Sequence, residues 1–186
     1  MNQFDEDLLL SLNLQLLESD VNEMLDAGKD LKEVLNQILN WIEDESKNEI
    51  FTSILLYKKE TSQLFTGAAP SLPDRYNKVI SGLTTGPVAG SCGTAAYYGK
   101  QVIVEDIETD PLWENYKMYA LPEGLHSCWS TPIFGSNKQL LGTFAIYYKE
   151  PRKPTEHDLQ LIDEIVGLTA TAIETREEDF EKIVGL

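Results

Sequence analysis

Four glycines, Gly86, Gly90, Gly93 and Gly99, bracket the run Gly-Pro-Val-Ala-Gly-Ser-Cys-Gly-Thr-Ala-Ala-Tyr-Tyr-Gly. Glycine permits tight turns and close backbone approach at Gly90 and Gly93, so this spacing predicts a helix entered through a turn. The first turn of such a helix is left open, with the unpaired N–H groups of helix entry pointing outward at Ser91 or Cys92. Those groups can receive something small, or the segment can be a tight turn followed by a short packing helix. The residues of the run leave both readings open.

The chain has 186 residues, which suits one domain with extensions and a substantial core. Its net charge of −16 is unevenly placed. Residues 1–50 carry 13 acids against 3 bases, residues 155–186 carry 9 against 2, and the middle carries 9 against 10, giving −10, −7 and +1. A nucleic-acid partner needs a basic stripe to meet phosphate, and no segment supplies one. No apolar run approaches the length of a bilayer span, and the N-terminal Met-Asn-Gln-Phe-Asp-Glu-Asp is acidic where a secretory signal is basic. The expectation is a cytoplasmic protein without a membrane partner. Cys92 and Cys128 are too few for a zinc site or a disulfide framework, which agrees with a reducing compartment.

Leu10, Leu14, Leu17, Val21 and Met24 step by four and three, the seam of an amphipathic helix. Gly28 and Lys29 interrupt it; Asp30 and Glu33 then form a capping box before Leu31, Leu35, Ile38 and Ile42 resume the rhythm to about Lys47. Phe51–Tyr57 and Gln63–Ala68 read as a hairpin, and Asp74–Ser81 as a short helix closed by Gly82. Gln101–Val104 reads as a short strand, Asp110-Pro111 as a helix start, and Leu112–Leu121 as a helical or irregular cover stopped by Pro122 and Gly124. Ser127–Phe134 and Leu140–Tyr148 alternate like strands around the turn Gly135–Gln139. Thr155, with Asp158 three residues on, caps a last helix whose seam runs Leu159, Ile162, Val166, Thr169, Ile173, Arg176 and Phe180. That length exceeds what one sheet face needs. The acidic terminal helices therefore predict either core stripes within one chain or a bundle shared in a homodimer.

The segments Gly67-Ala-Ala-Pro-Ser-Leu-Pro73, Gly90-Ser-Cys-Gly-Thr-Ala-Ala96, Val104-Glu-Asp-Ile107, Asp110-Pro-Leu-Trp113 and Cys128-Trp-Ser-Thr-Pro-Ile133 together resemble the GAF domain, over roughly Leu31–Glu174. The resemblance is to GAF domains found beside histidine kinase, PAS and diguanylate cyclase modules in bacterial signalling proteins. It implies an α+β fold: a central antiparallel sheet of about five or six strands, N- and C-terminal helices on one face, and a small-molecule pocket on the other. On this reading residues 1–28 form a dimer or bundle helix, 29–176 the GAF domain and 177–186 a helical extension.

The implied function is a sensory or regulatory domain, not an enzyme, that binds a small polar ligand and signals through its terminal helices to an output protein, as in two-component systems. Ser91, Cys92, Gly93 and Thr94 offer N–H groups, hydroxyls and a thiol at a helix start, which suits an anion or carboxylate. Trp113, Tyr116 and Tyr119 can close over it or simply pack on the sheet. On the strand Ser127–Phe134, Cys128, Ser130 and Pro132 share one face. The free methionine sulfoxide reductases resemble this chain in the Cys92-Gly-Thr-Ala run. Their Gly-His-Ile-Ala-Cys-Asp segment is absent, and their pocket acids fall on Cys128, Ala145 and Tyr147. That alignment places Cys92, Cys128, Ala145 and Tyr147 toward the pocket while removing the nucleophile and the acids. A thiol-dependent reductase is thus an alternative, as is a structural dimerisation module without ligand. His126 and His157 read as surface residues, so no metal is expected. Bilin-binding relatives place His after the reactive Cys, whereas Trp129 follows Cys128, and neither bilin nor haem is the expected cofactor. A dithiol switch between Cys92 and Cys128 is open to the chain if both point into one cavity.

Overall fold

The computed structural model describes residues 3–46 and 49–185; for residues 3–8 it describes the backbone alone. Two N-terminal helices, α1 (Gln3–Asp26) and α2 (Leu31–Glu45), lead into the hairpin β1 (Ile50–Lys58) and β2 (Gln63–Ala68). Then come α3 (Asp74–Ile80), the two-residue strand β3 (Leu83–Thr84), α4 (Gly90–Tyr98) and β4 (Val102–Val104). A cover follows, built from a 3-10 turn at Pro111–Trp113, the single-turn helix α5 (Lys117–Ala120) and a second 3-10 turn at Leu121–Glu123. The chain closes with β5 (Ser127–Phe134), β6 (Leu140–Tyr148), α6 (Glu156–Thr175) and α7 (Glu177–Val184). The expected end of the second helix at Lys47 lies outside the described residues.

The six strands form one antiparallel sheet in the order β3-β2-β1-β6-β5-β4. The period-two alternation of each strand divides its side chains between two cores. Leu56, Trp129, Ile133, Phe144 and Ile146 pack toward α1, α2 and α6. Leu55, Cys128, Ala145 and Tyr147 pack beneath α3, α4 and the cover.

Helix α2 forms as its sequence dictates. The Asp30 carboxylate accepts from Glu33 N–H at 2.8 Å, the Glu33 side chain accepts from Asp30 N–H, and Leu31, Val34, Leu35, Ile38, Leu39 and Ile42 are all buried. A cap contributes about 1 kcal/mol, whereas each fully buried aliphatic side chain contributes about 1.5–3 kcal/mol, so packing on the sheet holds this helix. Its last turn carries the buried Glu43. That carboxyl accepts from Thr52 N–H and Oγ1 of β1, at 2.8 and 2.7 Å, and from the hydroxyl of Ser71 in the loop that leads to α3.

One expectation fails at the C-terminus. The seam from Leu159 to Phe180 predicts a single helix, but the chain leaves helical geometry at Arg176, with φ −116° and ψ 45°. Two distant contacts account for the break. The Arg176 guanidinium donates to the carbonyls of Leu25, in the last turn of α1, and Lys29, in the connection to α2. Three residues on, Asp179 accepts from Leu31 N–H at the start of α2. Helix α7 then packs on β1 and β2 with Val184 buried, and Lys58 Nζ reaches the Gly185 carbonyl at 2.8 Å.

Candidate functional site

The glycine-bracketed run is a helix, but its first turn is covered rather than open. Gly90 sits at φ +61° and Gly99 closes the helix at φ +62°, both in the left-handed region that favours glycine. From Gly90 to Ala96 every residue is buried. Ala89 at the N-cap has no acceptor side chain, and Thr94 Oγ1 instead accepts the Ala89 N–H at 3.0 Å. The covering group is Trp113, whose ring carbons lie 3.8 Å from the point a Cβ on Gly90 would occupy.

Trp113 is positioned locally by Asp110, whose carboxylate caps the 3-10 turn by accepting from Leu112 N–H at 2.9 Å. Its indole Nε1 donates to Ser91 Oγ at 3.0 Å, and Ser91 Oγ donates in turn to the Cys128 carbonyl of β5 at 3.0 Å. One serine thus ties the cover, α4 and the sheet together.

Beneath the first turn of α4 the sheet presents a row of small polar side chains. The ladder places Ser53, Ala145 and Ser130 side by side on β1, β6 and β5, with Tyr147 opposite Cys128. The hydroxyls of Ser53, Ser130 and Thr143 are buried and have no conventional hydrogen-bond partner. Those of Ser130 and Thr143 face the Cys92 thiol, which also meets Tyr147 Oη at 3.8 Å and lies beside the Cys128 thiol. The neighbouring Cys128 is the main cause holding Cys92 below the ordinary thiol range, at about 7; burial opposes it, and the hydroxyls of Ser130, Tyr147 and Thr143 assist. Burial pushes the Cys128 thiol up, and so does Cys92 beside it. Burial likewise raises Tyr147 and Tyr76, whose rings meet edge to face with centroids 5.7 Å apart.

A cavity of about 20 Å³ lies here, lined by Tyr76, Gly90, Ser91, Cys92, Trp113, Tyr116 and Tyr147 together with apolar neighbours. That is room for about one water molecule. A much larger groove of about 890 Å³ runs between α1 and α6 on the other side of the molecule, but its walls hold none of these groups. The internal cavity is the chemically distinctive one.

Of the residues singled out in the sequence, Ser91, Cys92, Trp113, Tyr116 and Tyr147 line the cavity. Cys128 and Ala145 belong to the same buried cluster without lining it, and Ser130 faces Cys92 from below. Gly93 and Thr94 are turned to building α4: the carbonyl of Gly93 accepts from Gly86 N–H, and a Cβ on Gly93 would sit 2.6 Å from that of Ala89. Tyr119 does not close over the site, because it lies on the outer side of the cover and is 40% exposed. Tyr76, Ser53 and Thr143 were not anticipated. The reductase resemblance placed Ala145 and Tyr147 toward the pocket, and the period-two alternation of β6 carries Thr143 with them, as that of β1 pairs Ser53 with Leu55. Tyr76 had no signal beyond its place in a short helix. Among the described residues no group of three or more His, Cys, Asp or Glu is placed to hold a metal ion. His126 is half-buried before β5, and His157 is exposed on α6 beside the large groove.

A family profile described as the GAF domain matches residues 28–174. The chain belongs to the GAF domain family. It is 40% identical over 169 residues to the methyl sulfide methyltransferase-associated sensor of Methanosarcina acetivorans, a match covering 91% of this chain and 16% of that protein. The chain therefore spans about a sixth of that relative's length. Among solved GAF structures, the domain from an Acinetobacter phosphoenolpyruvate-protein phosphotransferase superposes with a TM-score of 0.68 at 15% identity, covering 96% of this chain and 97% of that one. The free methionine-R-sulfoxide reductase of Neisseria meningitidis superposes with a TM-score of 0.69 at 18% identity, covering 89% and 88%. At such identities the likeness is one of fold. No described helix of this GAF domain is long and apolar enough to cross a membrane.

Proposed function

We propose that this GAF domain is a sensory module that takes a small polar ligand beneath the Pro111–Glu123 cover, and that it is not an enzyme. The observation that carries this reading is the cavity at the N-terminus of α4, where Ser91, Cys92, Trp113, Tyr116 and Tyr147 converge, with the buried hydroxyls of Ser53, Ser130 and Thr143, which make no conventional hydrogen bond, in the sheet beneath. Such groups are costly to bury unpaired, and a polar ligand satisfies them. The ligand contacts are assigned to these residues together with Ser130 and Cys128, with Gly93, Thr94 and Ala145 shaping the floor. Because the cavity admits little more than a water, binding shifts the population toward a state with the cover raised. The sensor relative at 40% identity supports this class of function.

The output leaves through the terminal helices. Leu9, Leu12 and Leu16 of α1 are exposed beside the α1/α6 groove, which supports a homodimer in a cytoplasmic, two-component-like setting with a separate signalling partner. Thermal unfolding in the presence of small anions, amino acids and nucleotides tests the ligand reading: a stabiliser whose effect is lost in Trp113→Ala supports it. Flat melting curves across such a set, with the chain still dimeric, favour the structural dimerisation module instead.

A second reading, thiol-dependent reduction, draws on the hydroxyl-lined Cys92. It lacks carboxylates in the cavity, and turnover of free methionine sulfoxide that vanishes in Cys92→Ser is the result that would establish it.

A further inference from the structure

The two cysteines of the chain lie together. Cys92 is on the first turn of α4 and Cys128 on β5; both are free and buried, and they belong to one buried cluster in which Tyr147 touches the Cys92 sulfur and pairs with Cys128 across the sheet. Four separate elements hold this pair in place. Ser91 fixes the helix to the strand through the Cys128 carbonyl, Trp113 closes over Ser91, and Tyr147, the ladder partner of Cys128, reaches the Cys92 sulfur from β6.

The two thiols are nevertheless unequal. Cys92 lines the internal cavity and Cys128 does not. Cys92 also sits where a helix N-terminus favours negative charge, above the otherwise unpartnered hydroxyls of Ser130 and Thr143. The hydroxyls of Ser91 and Tyr147 also approach Cys128, but burial and the neighbouring Cys92 outweigh them and keep it protonated. A nucleophilic, reachable thiolate beside a protonated thiol is the arrangement that a two-step oxidation needs.

We propose that Cys92 and Cys128 form a peroxide-responsive modification site, with Cys92 as the attacking sulfur and Cys128 as the resolving one. The Cys92 thiolate attacks one oxygen of a hydroperoxide, breaking the O–O bond, forming the sulfenic acid and releasing hydroxide or alkoxide. The Cys128 thiol then attacks the sulfenic sulfur; the S–S bond forms, the S–OH bond breaks, and water leaves with the Cys128 proton. The two thiols together lose two electrons to the peroxide. The resulting bond joins α4 to β5 across the floor of the cavity, beside the Ser91 bridge that holds Trp113.

The test uses the full chain and hydrogen peroxide, followed by denaturation, alkylation with N-ethylmaleimide and intact mass measurement. The reduced protein accepts two maleimides. After peroxide the expected protein accepts none, is lighter by two hydrogens, and yields one cross-linked peptide pair containing Cys92 and Cys128. In Cys128→Ser the expected product is a sulfenic acid on Cys92, trapped by dimedone; in Cys92→Ser the rate of Cys128 oxidation falls at least tenfold. Retention of both thiols in wild-type protein after peroxide overturns the proposal, as does linkage between chains only, or oxidation of Cys128 at an unchanged rate in Cys92→Ser. The readout is independent of ligand binding, so a failed ligand screen leaves this proposal standing and a failed oxidation leaves the ligand reading standing.

Discussion

Trp113 and Ser91 meet through a 3.0 Å hydrogen bond, indole Nε1 to serine Oγ, with both side chains buried. The same oxygen donates to the carbonyl of Cys128, so one hydroxyl serves a tryptophan on the cover and a strand in the sheet. Ser91→Ala leaves the indole N–H and the carbonyl without this partner. The expected cost is about 1–3 kcal/mol, measured by urea unfolding, together with faster amide exchange from Asp110 to Gly124. Unchanged exchange in that segment would show that the cover is held by packing alone.

Two glycine substitutions on helices should act in opposite directions. A Cβ on Gly93 falls 2.6 Å from the Ala89 Cβ and 3.3 Å from Leu83 Cδ2, so Gly93→Ala must shift α4. Its expected cost is about 1–3 kcal/mol. Gly167 in the middle of α6 meets nothing within 4 Å, and Gly167→Ala should stabilise by about 0.5–1 kcal/mol. Paired thermal melts check both signs.

Arg176 is the joint between α6 and α7, and its guanidinium satisfies the carbonyls of Leu25 and Lys29. Arg176→Ala removes a charged donor from two acceptors, with an expected loss of about 1.5–3 kcal/mol. Hydrogen exchange should show α7 released before the sheet opens. Global loss without earlier exchange in α7 would mean that the two unfold as one unit.

The buried acids predict a stability maximum in mildly alkaline solution. The groups facing Cys92 are Cys128 and Tyr147, with Tyr76 packed behind Tyr147. Cys92 is lowered to about 7 from an ordinary 9.0, so its contribution is present above 9.0 and is lost as pH falls through about 7. Cys128, Tyr76 and Tyr147 are raised, so theirs is present below 9.0 and 10.0 and is lost as pH climbs further. Urea midpoints should rise from pH 7 to 9 and fall above 10. Cys92→Ser should flatten the rise and leave the alkaline fall.

Much of the frame was legible because it is local. The Asp30/Glu33 and Thr155/Asp158 capping boxes, the Leu31-to-Ile42 spacing and the β5/β6 hairpin all appear where the residues predict them. The break at Arg176 was not legible, since arginine continues a helix well and the cause lies in the distant carbonyls of Leu25 and Lys29. The two-residue strand β3 offers too little sequence for any period to register. At the candidate site, the strand parity of Cys128 and Ser130 and the glycine pattern of α4 pointed to two elements, β5 and α4, that do pack together. What no local pattern conveyed was that Trp113 turns inward and Tyr119 outward, because the cover is a chain of single turns without a regular repeat.

Glu43 gives the two faces of the sheet a common member. Its carboxyl belongs to α2 on the helical side, yet one of the hydrogen bonds it accepts comes from Ser71, at the root of the segment that carries Tyr76 into the cavity. Any swing of α3 that widens the cavity pulls on that bond, and the strain arrives at the last turn of α2 without passing through the strands. At this rim the sheet is bypassed rather than crossed: the receiving side and the helical side share a hinge pin.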